Sequence, residues 1–214
     1  MPTYTLEKTF NTHVRLSPNV RAVAEMFGLG ADRSRKNKVI KRFDITIERG
    51  QVLYITGASG AGKSLLLKLL KEKIGGVLDL NEQSLPKKIP LVDCFDEDLE
   101  EAFNWLGRAG LSEVYTLLRY PEQLSDGQRY RLRLALALAR QPKVICIDEF
   151  CAALDRVTAA VVAHNVRRYA DHFGTIFMVA TSHEDLLEDL QPDVIICKNY
   201  GSDCEVFYPK WGGV

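Results

Sequence analysis

Gly57-Ala58-Ser59-Gly60-Ala61-Gly62-Lys63-Ser64 is the stretch whose residue types and spacing carry the clearest chemistry in this chain. Consecutive backbone N–H groups close on polyphosphate oxygens only where side chains do not intervene, so Gly57, Gly60 and Gly62 keep the loop bare. A helix opening near Lys63 turns its partly positive end toward the same anion. Lys63 adds a full charge for the terminal phosphates, and the Ser64 hydroxyl is a hard oxygen ligand suited to Mg²⁺. The expectation is a site for ATP or GTP. A glycine-rich turn with no ligand is the bland alternative, and the apolar run Val52-Leu53-Tyr54-Ile55 before the loop and Leu65 to Leu70 after it argue against that.

A second candidate is Asp148-Glu149, which ends the apolar run Val144-Ile145-Cys146-Ile147. A carboxylate at the end of a buried strand can hold Mg²⁺ through water, which makes Asp148 a metal candidate. An acid directly after it, aimed where the terminal phosphate lies, can orient and deprotonate an attacking water. A structural alternative has Glu149 only capping the helix that follows.

These residues need a scaffold, and the pattern along the chain supplies one. Tyr4 to Phe10 alternates as a half-exposed strand, and Ser17-Pro18 opens a helix with Val20, Val23, Ala24 and Phe27 on one face. The basic segment Arg33 to Arg42 reads as a solvated loop or as a phosphate contact. Phe43 to Ile47 alternates again, and a short turn at Glu48-Arg49-Gly50 predicts antiparallel pairing with the strand that feeds the loop. Ile89 to Val92 reads as a short strand, and 96–119 as a small helical module. Helices over 128–140 and 152–169 then alternate with strands at 144–147, 175–180 and 194–197. The fold class expected is α/β: a mostly parallel sheet covered on both faces, with an N-terminal antiparallel β segment and a small inserted helical subdomain. All 214 residues are expected to form a single domain, with the reduced helical subdomain at about 84–134.

Lys plus Arg and Asp plus Glu number 28 each, so no global charge pulls the chain toward nucleic acid. The five cysteines show no metal-ligand spacing and read as reduced thiols of a cytoplasmic protein. No apolar run approaches the roughly 20 residues that span a bilayer.

Three further features narrow the class: Leu124-Ser125-Asp126-Gly127-Gln128 before a long helix, Ala153-Leu154-Asp155 after the acidic pair, and His183 after the next strand. Together with the phosphate loop and Asp148-Glu149, in this order over Phe43 to Cys197, they resemble the ATP-binding cassette (ABC) ATPases, a P-loop NTPase family. The resemblance implies Mg²⁺-dependent ATP hydrolysis in an ATP-dependent head-to-tail homodimer. Each nucleotide then lies between residues 57–65 of one subunit and Ser125, Gly127 and Gln128 of the other. It further implies Glu149 as catalytic base, Lys63 and His183 at the γ-phosphate, Asp155 at the subunit interface, and Phe27 either stacked on adenine or packed as a plain core residue.

The sequence departs from the family pattern at several points. Leu65 stands where Thr or Ser is usual, so the α-phosphate relies on backbone donors, and Asp126 replaces a glycine and is expected to turn outward. No Gln follows the strand before the helical module, which leaves Asp93 as the nearest metal or water contact and Gln83 as a poorer one. The segment between Lys63 and Ser125, about sixty residues, is shorter than in transporter subunits. On that ground the sequence is most similar to soluble ABC-type ATPases of the kind joined to an acetyltransferase-like domain, acting on a soluble protein partner or nucleic acid. The alternatives are the nucleotide-binding subunit of a membrane permease and, less well supported, a P-loop kinase.

Overall fold

Val52–Thr56 is a strand whose first four residues, Val52-Leu53-Tyr54-Ile55, form an apolar run buried on both sides, and a strand of that kind belongs in the middle of a sheet with both faces covered. The computed structural model, which describes residues 2–13, 15–28, 34–96, 98–182 and 185–211, has it there. In chain order the elements are β1 (Thr3–His13), α1 (Pro18–Met26), β2 (Ser34–Thr46), β3 (Val52–Thr56), α2 (Lys63–Ile74) and β4 (Leu78–Asp79). A 3₁₀ turn at Leu91–Cys94 leads to α3 (Leu99–Arg108) and α4 (Val114–Leu117), and a second at Pro121–Gln123 precedes α5 (Asp126–Ala139). There follow β5 (Val144–Ile147), α6 (Arg156–Phe173), β6 (Ile176–Ala180), α7 (Leu187–Leu190), β7 (Val194–Lys198) and β8 (Cys204–Phe207).

The main sheet has six strands in the order β4-β5-β6-β3-β7-β8, all parallel except the antiparallel β7–β8 edge. Strand alternation divides β3 between two cores. Val52 and Tyr54 face α3, α5 and α6, whose Trp105, Leu132, Leu138, Val162 and Val166 fill one side. Leu53 and Ile55 face the other side, where Leu66, Leu67 and Leu70 of α2 meet Leu6, Ile40 and Ile45. Those last residues come from β1 and β2, which form a separate antiparallel ribbon packed over α2. The α/β class with a mostly parallel sheet and an N-terminal antiparallel segment therefore holds. No described helix is long and apolar enough to cross a membrane.

Four local expectations are corrected. The basic stretch is strand, not loop, from Ser34 onward; Arg33 lies outside the described residues. Phe43 to Ile47 and β3 do not pair with each other: β2 pairs with β1, while β3 pairs in parallel with β6 and β7. A turn at Gly50 separates them into different sheets, because β3 is buried on both faces and β2 on one. Ile89 to Val92 is not a strand; Pro90 opens the 3₁₀ turn, and the Leu91 N–H donates to the Arg119 carbonyl at 3.0 Å. Finally, α1 has its Ser17 cap and Pro18, but of its apolar face only Ala24 is buried, while Val23 and Phe27 are exposed.

Candidate active site

The phosphate-loop sequence sits between the end of β3 and the start of α2. Gly57 has φ 136°, and a Cβ there would lie 2.0 Å from the Lys198 carbonyl oxygen, so no side chain fits. Gly62 caps α2 in left-handed backbone without a side-chain cap, which leaves the first N–H groups of that 12-residue helix free of local acceptors from the cap. Lys63 Nζ reaches back to the carbonyls of Gly57, 2.8 Å, and Ala58, 3.0 Å, and lies across the mouth of the loop.

A cleft of about 390 Å³ opens here, lined by Ser59, Gly60, Gly62, Lys63, Ser64, Asp148, Glu149 and residues 180–182 at the end of β6. Parallel strands deliver these groups to one edge because β5, β6 and β3 are neighbours and all end on the same side. Asp148 is half-buried and Glu149 exposed. Ser64 and Asp148 offer hard oxygens, and among the described residues no group of three His, Cys, Asp or Glu could hold a metal unaided. That donor set suits Mg²⁺, which keeps waters and takes the rest of its ligands from substrate phosphates.

Other predicted residues lie elsewhere. Ala58 is exposed on the loop, Ala61 is buried beneath it, and Leu65 is half-buried in the first turn of α2. His183 lies outside the described residues. Phe27, at the end of α1, is 75% exposed and does not line the cleft. Ser125, Gly127 and Gln128 are not in the cleft of their own chain: they form the start of α5, where the Ser125 hydroxyl accepts from the Gln128 N–H and the Gln128 amide oxygen accepts from the Ser125 N–H. Asp126 turns outward as expected, exposed and paired with Arg129 at 2.6 Å. Asp155 caps α6, accepting from the Thr158 N–H at 3.0 Å, and the hydroxyl and N–H of Thr158 hold its carboxyl below the usual range.

Asp93 is corrected. It is exposed in the 3₁₀ turn and does not line the cleft. The residue that touches the acidic pair is Asn81, just past β4: its amide oxygen accepts from the Asp148 N–H at 3.0 Å and its NH₂ donates to the Asp148 carbonyl at 3.3 Å. With Ser64 and Asp148 it lines an adjoining pocket that also holds Asp79, Glu82 and Lys71. Lys71 bonds Asp79 at 2.7 Å and Glu82 at 2.6 Å, which raises its ammonium pKa. Sequence reading missed Asn81 because β4 is only two residues long and was not recognised as a strand. Lys198 was missed too. It is fully buried behind the phosphate loop, its ammonium donating to the carbonyls of Asn199 and Gly201 at 2.7 Å each. Beside it the Tyr200 hydroxyl donates to the Ser59 carbonyl at 3.0 Å.

Comparison with known proteins agrees with this geometry. The family profile described as "ABC transporter" matches residues 40–93 and 73–152, together more than half of the 214 residues. Among curated relatives, the aliphatic sulfonates import ATP-binding protein SsuB 1 of Paraburkholderia xenovorans is 34% identical over 184 residues, covering 76% of this chain and 52% of that protein. The lipoprotein-releasing system ATP-binding protein LolD of Shewanella denitrificans is 29% identical over 206 residues, covering 78% of this chain and 86% of the relative. The chain thus spans about half the length of the sulfonate-import relative. Two solved structures of the cassette MJ0796 share the fold. A dimeric form has a TM-score of 0.61 at 20% identity over 80% of this chain and 91% of that one. A dimeric post-hydrolysis form bound to ADP and Pi has 0.62 at 18% identity over 94% and 98%.

Proposed function

From the premise that this chain belongs to the ABC ATPase family, we propose that it binds and hydrolyses Mg·ATP in a head-to-tail homodimer. The observation that carries this reading is a division of labour. Lys63, Ser64, Asp148 and Glu149 converge on one cleft, while Ser125 and Gly127 start a helix outside it. Two copies are then needed to enclose a triphosphate: the loop of one and the start of α5 of the other, each presenting helix N–H groups to the anion. Residues 1–214 act as one ATPase domain, with 84–134 as its helical module.

In the reaction the loop backbone and Lys63 bind and orient the phosphates, and closure by the second subunit excludes bulk water. Ser64 and Asp148 would hold Mg²⁺, which would supply charge neutralisation for the phosphate oxygens. Glu149 takes the proton of the attacking water, and His183 contacts the γ-phosphate from the segment after β6. Asn81 holds the Asp148 backbone at both its N–H and its carbonyl.

The partner favoured by the relatives is a membrane permease, since both are named as ATP-binding components of import or releasing systems. Apolar side chains left exposed on the helical module at Leu99, Phe103, Val114, Tyr115 and Leu118 support a docked partner there. A soluble protein or nucleic acid partner is the second reading, supported by the short module and the exposed Lys36 and Arg42 of β2. The relatives do not favour the acetyltransferase-joined type. In either case the nucleotide site works on the cytoplasmic side, where ATP is supplied.

Sedimentation of Glu149→Gln protein with and without Mg·ATP tests the core of the proposal. A nucleotide-dependent dimer is expected, and a monomer at saturating Mg·ATP would contradict it. Co-purification with a permease in detergent, against stimulation of turnover by DNA in the soluble fraction, separates the two partner readings.

A further inference from the structure

The turn 149–155 carries Glu149 at one end and the α6 cap at the other, and it is built on unusual backbone. Glu149 and Cys151 both take left-handed conformations, φ 55° and 59°, which L side chains rarely adopt. Part of what holds them is local: the Ala152 N–H donates to the Glu149 carbonyl at 3.0 Å, and the Leu154 N–H to the Cys151 carbonyl at 3.0 Å. From outside the turn, the Tyr130 hydroxyl accepts the Cys151 N–H at 3.2 Å. Tyr130 stands on α5, three residues after Gly127, so both lie on one face of that helix. Gly127 meets the same turn: a Cβ there would come within 2.9 Å of the Ala153 carbonyl and 3.2 Å of Leu154. Burial holds the Tyr130 phenol well above its usual range, so the group facing Cys151 is a neutral hydroxyl.

We propose that Tyr130 is a positioning residue. Its hydroxyl fixes the left-handed Glu149–Cys151 backbone from the helix whose first turn carries Ser125 and Gly127. The base of one nucleotide site and the closing half of the other are thereby tied to one rigid piece of chain. This rests on the reading of Glu149 as the base.

The test is a double-mutant cycle on the full chain: wild type, Tyr130→Phe, Cys151→Gly and the double variant, each assayed for nucleotide Kd, KM, kcat and Tm. Tyr130→Phe removes one hydroxyl. We expect kcat to fall about tenfold, equivalent to about 1.4 kcal/mol, with KM and Kd within about twofold. In the Cys151→Gly background, glycine adopts left-handed backbone without the Cβ penalty, so the same change should lower kcat less than about threefold. Because Cys151→Gly also removes the 3.9 Å contact between the Cys151 Sγ and the Tyr130 hydroxyl, Cys151→Ala is the control: it lacks the thiol but keeps the Cβ, and there Tyr130→Phe should still cost the full tenfold, which a packing role would not produce. A lowered Tm with unchanged kcat, a raised KM with unchanged kcat, or the same kcat loss in the wild-type and Cys151→Gly backgrounds would overturn the inference. Glu149→Gln separates the two levels: wild-type turnover in that variant defeats the functional reading, whereas an inactive Glu149→Gln beside a fully active Tyr130→Phe defeats only the role of Tyr130.

Discussion

Lys63 is the clearest single-residue test. Its ammonium already sits against the Gly57 and Ala58 carbonyls at the mouth of the loop, and a charge-assisted contact to phosphate needs only a small reorientation. Lys63→Ala should weaken nucleotide binding by about 100-fold or more, roughly 2.7 kcal/mol, in a fluorescent-nucleotide titration. Unchanged affinity would refute the cradle. The cysteines support a pH prediction. Burial pushes both Cys146 and Cys151 up to about 12, whereas an unfolded thiol titrates near about 8.5. Because the folded state holds these protons more tightly, the stabilising contribution is intact below the unfolded value and is lost as pH rises toward the folded one. The urea midpoint should therefore fall between pH 8.5 and 10. Cys146→Ala should show a smaller fall than wild type over that window, and an identical fall would remove the thiol from the account. Legibility at this scale followed the range of the chemistry. The loop and the strand end Asp148-Glu149 are readable because their position in the chain is set by immediate neighbours. Asn81 and Lys198 are not, since what matters is a strand or loop reached from far along the chain.

Helix starts were legible in part, for the same reason. Ser17 and Ser125 cap α1 and α5 by accepting from the N–H groups three residues on. The start of α6 was not legible: a helix expected from Ala152 begins at Arg156, where Asp155 accepts from the Thr158 N–H and caps it. Asp98 does so for α3, accepting from the Glu101 N–H at 2.9 Å. Asp98→Ala should cost about 1 kcal/mol and lower Tm by about 2–4 °C without changing nucleotide affinity. Differential scanning calorimetry decides it, and an unchanged Tm would mean that the cap contributes nothing. The link between elements is a stronger case. Arg167 of α6 bonds Asp193 at 2.7 Å and the Gly50 carbonyl at 2.5 Å, while Asp193 also accepts the Val52 N–H at 2.8 Å. One guanidinium thus ties α6 to the entry of β3 and to the turn before β7. Arg167→Ala should destabilise by about 2 kcal/mol, against under about 0.5 for Lys41→Ala, whose exposed ammonium pairs with exposed Asp203 at 3.3 Å. Similar urea midpoints for the two variants would defeat that ranking. Short or edge strands were the illegible elements. β4 has two residues and β8 alternates half-exposed with exposed positions, so neither carries enough local pattern to stand out.

At the scale of the whole molecule, the proposed function divides the site between two copies, and mixing tests that. Lys63→Ala protein lacks a working loop, while Ser125→Arg protein obstructs the opposite half. In a mixed dimer one interface carries both lesions and the other carries neither. The mixture should regain turnover up to one active interface per dimer, although each variant alone is inactive. No recovery, with mixed dimers demonstrated by sedimentation, would contradict sharing between subunits. The α/β class, the phosphate loop, the acidic pair and the first turn of α5 were determined by the sequence alone, since each depends on hydrogen bonds and side-chain periodicity within a few residues. The tertiary structure decided the rest. It set the β1–β2 ribbon apart from the main sheet, left the α1 face uncovered, brought Asn81 rather than Asp93 to Asp148, and joined Tyr130 to Cys151. Those outcomes turn on which strand lies beside which and which faces become covered, and burial and pairing of that kind are settled only when distant segments meet.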